Sequence, residues 1–180
     1  IDALVVPTYK GILGLYGMGF LYCREEWIES LQPVYLSRFS IGSGEDSHES
    51  AFGGTDYQLH TSARRFEIGH YNIVGVFAAE ASLDLLMNIG VGNIEDHVLK
   101  LASEFTKGLE DIRLNVSSGR DYNDLSSIVT IGEWGKGNHY QADDPEITRL
   151  FHYLQSEKVK ISLRRGLIRF SLHMYNTQED

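Results

Sequence analysis

A lysine followed by closely spaced glycines is the part of this sequence with the clearest capacity for chemistry. Four glycines, ending at Gly19, follow Lys10 within nine residues, and an apolar run at 20–23 comes next. The apolar run predicts a buried strand, and the glycines indicate tight turns or a close backbone approach. We expect the amine of Lys10 to be withdrawn from bulk water, which disfavours its charged form and leaves a nucleophile that can form a Schiff base. The alternative is a surface lysine beside a glycine-rich turn.

Two further segments carry side chains suited to binding anions. Residues 65–72 read Arg-Phe-Glu-Ile-Gly-His-Tyr-Asn directly before a predicted helix, and residues 167–177 read Leu-Ile-Arg-Phe-Ser-Leu-His-Met-Tyr-Asn-Thr on a predicted strand. In the second segment, Arg169 offers a guanidinium fork, whose geometry matches a planar carboxylate. The alternation of polar and apolar residues there is equally compatible with Arg169 as a solvated strand arginine.

The first half of the chain alternates strand and helix. Apolar residues at 1–6 predict a short buried strand, and residues 25–31 predict a short helix. The polar, glycine-rich stretch Ser37–His60 is long for a connection, so it predicts a mobile loop that is a binding segment, a lid or a disordered segment. Asn72 is a suitable N-cap for a helix that runs to about Asn88. The predicted buried stripe of this helix consists of Val74, Phe77, Ala78, Ala81 and Leu85.

The second half predicts two helices around a strand. Residues 126–131 are β-branched enough to predict the strand, and Asp144-Pro145 is a strong helix start, because a capping side chain is followed by proline at the first turn. The two helices show apolar residues at steps of three and four, which is typical of one buried face. These residues are Ile94, Val98, Leu101, Phe105, Leu109 and Ile112 in the first helix, and Ile147, Leu150, Phe151 and Leu154 in the second.

The last two predicted strands form a hairpin. Pairing Leu163 with Ile168 places the apolar side chains of both strands on one face, and Arg164 and Arg169 then share the other. A two-residue turn at Arg165-Gly166 would need a positive φ at the arginine, so a four-residue loop with the same register is the alternative. The order of elements predicts helices layered on sheet, α/β in the first part and α+β in the last.

Composition limits the classes of partner. The chain has 180 residues and a formal net charge of −9, which argues against nucleic acid as a partner. No apolar run is long enough to span a bilayer, so no membrane partner is expected. The single cysteine, Cys23, rules out an intrachain disulfide and favours a reducing, cytoplasmic compartment. Because the chain opens directly on a strand and ends soon after one, we expect a fragment at both ends.

Taken in order, the three segments resemble the class V aminotransferase family, the fold-type-I pyridoxal 5′-phosphate (PLP) enzymes that include cysteine desulfurases, selenocysteine lyases and isopenicillin N epimerase-like proteins. The resemblance covers nearly the whole chain and implies the C-terminal half of that fold. Residues 1–90 would be the remnant of the PLP-binding large α/β domain, and residues 91–180 the C-terminal small α+β domain. It also implies a transaminase, lyase or epimerase that acts on an amino acid, as a homodimer with shared active sites.

The resemblance assigns roles to individual residues. Lys10 matches the lysine that binds PLP and moves protons at the substrate Cα. Arg169 matches the arginine that binds the substrate α-carboxylate, and Arg164 either assists it or only solubilises the same face. Gly69 and His70 match the position that reaches the cofactor phosphate of the partner subunit. Arg65 and Glu67 are expected to form a structural ion pair or contacts at the start of the helix.

The sequence also departs from the family pattern. Pro7 and Tyr9 replace a phosphate-anchoring serine and a histidine, which leaves Thr8 to supply a hydroxyl, and His70 replaces a threonine. The reactive cysteine that desulfurases carry between the two last strands is missing, and Cys23 is predicted to be buried and inert, so desulfuration is disfavoured. The family residues that pair with the pyridine nitrogen and stack on the ring precede the lysine, so we expect the isolated chain to be inactive. The alternative is a non-catalytic relative or oligomerisation module.

Overall fold

The computed structural model describes residues 1–42, 57–119 and 122–180, and it divides into two compact units, Ile1–Leu86 and Met87–Asp180. Most of the predicted loop Ser37–His60 therefore lies outside the described residues. Its two described ends meet, because Ile41 bridges Leu59 in antiparallel fashion. The predicted division into domains 1–90 and 91–180 stays a prediction.

The first unit is built on a two-stranded ribbon. Strand β1 (Ala3–Pro7) pairs antiparallel with β2 (Gly19–Cys23), and the short helix α1 (Glu25–Ile28) follows. A 3-10 turn at Ala63–Phe66 precedes helix α2 (Ile73–Ile89). Both predicted strands and the predicted short helix are thus present.

The burial predicted for these two strands is wrong. Phe20, Leu21 and Tyr22 are 40%, 44% and 51% exposed, and only Cys23 of β2 is buried. In β1, Val5 is 74% exposed. An unbroken apolar run is typical of a strand covered on both faces, whereas a two-stranded ribbon leaves most of its side chains uncovered unless other elements pack on it.

Helix α2 begins where the sequence predicts but buries a different face. The Asn72 side chain accepts a hydrogen bond from the Gly75 amide at 3.0 Å, which caps the helix. The buried residues of α2 are Gly75 and Ala79, whereas Val74 and Phe77 of the predicted stripe are 68% and 66% exposed. The predicted stripe is therefore wrong. The apolar residues of α2 occur on nearly every side of the helix, so their spacing does not identify one buried face. The buried face carries the small residues because the helix approaches the preceding loop closely there.

The second unit places two helices against a three-stranded sheet. Its elements are α3 (Val91–Asp111), a 3-10 turn at Tyr122–Asp124, β3 (Ile128–Gly132), α4 (Pro145–Ser156), β4 (Ser162–Arg164) and β5 (Leu167–Ser171). The strands lie in the order β3-β5-β4, and both pairs are antiparallel. The Asp144 carboxylate accepts from the Glu146 amide at 2.8 Å, which confirms the predicted start of α4.

The core of the second unit lies between α3 and the sheet. Phe105 from α3 and Phe170 from β5 meet edge to face, with ring centroids 4.9 Å apart. Ile147, Leu150 and Phe151 of α4 pack against the same cluster, as their spacing predicts, whereas Ile112 is exposed because α3 ends before it. The buried members of the cluster are Ala102, Leu109, Val116, Val129, Ile131, Leu163 and Ile168.

The closing hairpin confirms the predicted register. Leu163 pairs with Ile168, and the turn between them is the tight two-residue one. Arg165 and Gly166 adopt φ values of 47° and 87°, as a type I′ turn requires. The alternative of a four-residue loop is therefore not what the hairpin adopts. Neighbouring backbone holds the turn, because the Gly166 amide donates to the Gln141 carbonyl at 2.9 Å and the Arg165 carbonyl accepts from Gly135 at 3.0 Å.

Among the described residues, no single helix is both long and apolar enough to cross a bilayer; α2 and α3 reach that length and composition only when joined across the break at Gly90.

Candidate active site

Lys10 lies in a tight turn directly after β1. The Leu13 amide donates to the Lys10 carbonyl at 2.9 Å, and the Gly14 amide donates to the Thr8 carbonyl at 2.8 Å. Leu13 closes the turn with a φ of 59°, a left-handed conformation that costs about 1–2 kcal/mol for a residue with a side chain. Backbone strain of this kind is commonest at functional sites.

The side chain of Lys10 is exposed, so the expectation that it is withdrawn from water does not hold in this structure. Its ammonium group lies 5.6 Å from the centroid of the Tyr9 ring, and Tyr9 stacks on Tyr16 with centroids 4.2 Å apart. Two tyrosines therefore form one wall beside the amine. The turn leaves the amine accessible to an aldehyde from solvent.

Thr8 has a structural role here. It is fully buried, and its hydroxyl lies 2.8 Å from the Leu15 carbonyl and 3.1 Å from the Met18 carbonyl. A Cβ added to Gly14 would come within 2.8 Å of the Thr8 Cβ, so the glycine permits this close packing. A hydroxyl has one proton, and that of Thr8 is engaged by backbone. Its assignment to the cofactor phosphate stays a prediction, and this geometry weighs against it.

His70 lies next to a second cation. Its Nε2 is 3.2 Å from the Nη2 of Arg38, and because a guanidinium has no acceptor, the imidazole accepts this hydrogen bond. The His70 ring meets Phe39 edge to face at 5.1 Å, and the Arg38 guanidinium lies over the same phenyl ring at 4.9 Å. Gly69, just before it, has open space around its α-carbon. This corner, Arg38 with Gly69 and His70, presents N–H donors at the foot of α2.

Arg65 is buried to 6% exposure, and its Nε has no hydrogen-bond partner. The predicted ion pair with Glu67 does not occur within the part of the chain that the structure describes. Instead the Arg65 amide donates to the Ser62 carbonyl at 3.0 Å, and the Glu67 carbonyl accepts from the Ser37 hydroxyl at 2.6 Å. These contacts lie in and beside the 3-10 turn Ala63–Phe66, whereas α2 begins only at Ile73.

Arg169 lies on the central strand of the second unit. It is half-buried, with Ser162 opposite it on β4 and Thr130 opposite it on β3. No hydrogen bond or ion pair of its guanidinium occurs within residues 1–42, 57–119 and 122–180. Arg169 is thus a partly buried strand arginine, and its role as the ligand of the substrate carboxylate stays a prediction.

Arg164 lies on the adjacent edge strand and has specific neighbours. Its Nη1 is 3.3 Å from the Nε2 of His139, and its guanidinium carbon lies 4.7 Å from the centroid of the Tyr140 ring. The Nε of Arg164 is shielded from water and has no hydrogen-bond partner. Arg164 is therefore held in place, which a merely solubilising arginine would not be.

Sequence reasoning missed Arg38, His139 and Tyr140 as neighbours of the predicted residues. Arg38 and His70 are 32 positions apart, and His139 and Arg164 are 25 apart. No spacing rule links residues at such separations, so only the tertiary structure brings them together. Lys10 and His70 belong to the first unit, and Arg164 and Arg169 to the second.

Cys23 is buried, as predicted, with its Sγ 3.7 Å from the Arg24 carbonyl. The turn between β4 and β5 consists of Arg165 and Gly166 alone and contains no cysteine. Among the described residues, no group of histidine, cysteine and acidic side chains is arranged to hold a metal ion.

Comparison with known proteins assigns the family. The family model for class V aminotransferases matches residues 1–145, so the chain belongs to that family, whose members are PLP-dependent enzymes. It is 29% identical over 180 residues to an uncharacterized aminotransferase, YcbU, of Bacillus subtilis, covering 100% of this chain and 43% of that protein. It is 30% identical over 190 residues to a probable cysteine desulfurase of Methanothermobacter thermautotrophicus, covering 99% and 44%.

Solved structures give the same fold. A cysteine desulfurase from Thermococcus onnurineus superposes with a TM-score of 0.76 at 25% identity, covering 99% of this chain and 44% of that one. The cystine C-S lyase C-DES superposes with a TM-score of 0.78 at 17% identity, which shows the fold alone. The predicted fold, a partial fold-type-I PLP enzyme, is confirmed. The chain spans less than half the length of these relatives.

Proposed function

We propose that this chain is part of a PLP-dependent enzyme that acts on an amino acid as a transaminase, lyase or epimerase. When bound, PLP supplies the electron sink that allows a bond at the substrate Cα to break. Lys10 holds the cofactor covalently and moves the proton at Cα, and Arg169 binds the α-carboxylate. The single observation that supports this most is the accessible amine of Lys10 in a strained turn, in a chain that belongs to this family.

The residues of the first unit fit the cofactor in part. The Lys10 amine is exposed, and the corner of Arg38, Gly69 and His70 supports a phosphate contact because a guanidinium lies beside the imidazole there. Thr8 does not fit, because its hydroxyl already contacts two carbonyls. At the position of the family threonine, it is His70 that would contact the cofactor phosphate, with Arg38 as its neighbour.

A homodimer with shared active sites is part of the proposal. The N-terminal half of α2, which starts directly after His70, exposes large apolar side chains such as Ile73, Val74 and Phe77. A helix that is apolar on nearly every side is stable when other protein covers it. A second subunit on this surface would bring His70 to its partner's cofactor phosphate.

Desulfuration of cysteine is the disfavoured reaction within this class. A turn of two residues, Arg165 and Gly166, offers no cysteine to accept sulfur, and Cys23 is buried elsewhere. Several relatives nevertheless carry the name of probable cysteine desulfurase, including those from Methanothermobacter thermautotrophicus and Pyrococcus abyssi. The reaction type is therefore best decided by assay of cysteine against other amino acids.

The complete protein that contains this chain, incubated with PLP, tests the proposal. We expect the visible absorption band of lysine-bound PLP, its loss in Lys10→Ala, and its retention in the control Lys107→Ala, an exposed lysine of α3. Borohydride reduction followed by peptide mass spectrometry should find the label on Lys10. A wild-type protein without the band would leave the non-catalytic oligomerisation module as the better description, and a band that persists in Lys10→Ala would overturn the assignment of Lys10.

A further inference from the structure

Two arginines lie as diagonal neighbours on one face of the β4–β5 hairpin. Ser162 pairs with Arg169 and Arg164 pairs with Leu167, so both arginines project from the same side of the sheet. Diagonal neighbours on adjacent strands are about 7–8 Å apart at Cα, which long side chains easily span. Both are partly buried.

Neither arginine is neutralised by an acid in the described parts of the chain. The partners of Arg164 are the His139 imidazole, which must be neutral to accept a hydrogen bond from a guanidinium, and the face of Tyr140. These neighbours fix the position of the charge without cancelling it. The Nε of Arg164 remains a shielded donor without an acceptor, which in a folded protein calls for an explanation.

Two arginines on one face of neighbouring strands bring like charges into the same region, and partial burial costs both of them hydration, so a bound anion would stabilise the arrangement. The cost is notable in a chain whose net charge is −9, since acidic residues are plentiful elsewhere. One monocarboxylate would satisfy one arginine. A short dicarboxylate carries its two anionic groups a few bonds apart and satisfies both.

We propose that the substrate of this enzyme is a dicarboxylic amino acid, with Arg169 binding the α-carboxylate and Arg164 binding the carboxylate of the side chain. Each guanidinium fork takes one planar carboxylate. His139 and Tyr140 act as positioning residues for Arg164. This inference deepens the proposed function and rests on it.

Arg165 provides a matched control. It is the next residue in the chain, is exposed in the turn, and lies over the Trp134 ring with its guanidinium carbon 5.6 Å from the centroid. Its φ of 47° is a conformation that asparagine tolerates well. Arg165→Asn therefore removes one positive charge beside the site without disturbing the turn.

The test measures binding of unreactive carboxylates to the complete protein by isothermal titration calorimetry. Glutarate should bind about tenfold or more tightly than butyrate, as expected for one added charge-assisted interaction. Arg164→Gln should remove this preference, Arg169→Gln should weaken both ligands, and Arg165→Asn should change neither. A glutarate preference that is absent from the wild type, or that survives in a folded Arg164→Gln variant, overturns the proposal.

The substrate inference can fail separately from the proposed function. The band of lysine-bound PLP is recorded on the same preparations, with unfolding midpoints to show that each variant is folded. If the band is present but no Arg164-dependent preference is found, the dicarboxylate inference alone is overturned. If the band is absent from the wild type, both are overturned.

Discussion

The two units bury different kinds of residue. In the second unit, the cluster around Val129, Ile131 and Ile168 is apolar and almost completely buried. In the first unit, the buried residues include Thr8, Ser40 and Arg65, all polar, while many large apolar side chains are exposed. The second unit has a hydrophobic core of its own, whereas the first is organised around a turn, a two-stranded ribbon, the short helix α1 and most of α2.

This difference contrasts a unit that is stabilised by its own core with a unit that carries the lysine turn. The second unit has the periodic patterns of a small domain, two amphipathic helices on an antiparallel sheet, and its stability should come from burial. The first unit has the strained turn at Leu13 and the donors of Arg38 and His70. Exposed apolar surface of this size usually marks a place where other protein packs. The relatives that this chain matches are more than twice as long as the chain.

The largest effect should come from the core of the second unit. Ile168 is fully buried on the central strand, so Ile168→Ala should lower the free energy of unfolding by about 2–5 kcal/mol through lost burial and a residual cavity. Denaturant titration measures it. In the first unit, Val34 is 87% exposed, and Val34→Ala should change stability by less than about 0.5 kcal/mol. Equal losses in the two variants would contradict the contrast between the units.

An intermediate effect is expected at the lysine turn. Gly14→Ala forces a Cβ to within 2.8 Å of the Thr8 Cβ, and overpacking against a fully buried residue should cost about 1–3 kcal/mol. Gly69→Ala is the matched control, because nothing lies within 4 Å of the added atom. If Gly69→Ala has a lower melting temperature than Gly14→Ala, the prediction is wrong and the tight packing of the first unit lies elsewhere.

The smallest effect concerns the cap of α4. Asp144→Ala removes the side chain that accepts from the Glu146 amide at 2.8 Å, and loss of such a cap costs about 1 kcal/mol. Asp143→Ala removes the same charge one residue earlier and leaves the cap intact. Circular dichroism melts of the two variants should differ, with Asp144→Ala lower. Identical melting curves would mean that the N-terminal cap of α4 contributes little to the stability of the second unit.

Local sequence patterns predicted the positions of helices and strands more reliably than they predicted which side chains are buried. The Asn72 and Asp144 caps and the Leu163–Ile168 register follow from neighbouring residues, and all three are present. The burial of β2 and the buried face of α2 were predicted wrongly. Periodicity identifies a face only when polar residues mark the opposite one, and neither segment has that contrast.

The residues of the candidate site also divide into those that the sequence identifies and those that only the tertiary structure brings together. Lys10, Arg169 and the segment before α2 stand out in the sequence because their residue types and their order along the chain are chemically distinctive. The neighbours of Arg164 and His70 come from distant positions, 25 and 32 residues away, so no local pattern contains them.

The amino-acid sequence by itself determined the helix caps, the strand register and the family, and it singled out the lysine that we propose binds the cofactor, because each depends on short-range chemistry or on residue order. The tertiary structure alone decided which faces are covered, that Arg165 adopts a left-handed turn, and that Arg164 and Arg169 lie diagonally on one face with no acidic partner among the described residues. Those features depend on packing between segments far apart in the chain, where backbone contacts and desolvation override local preference.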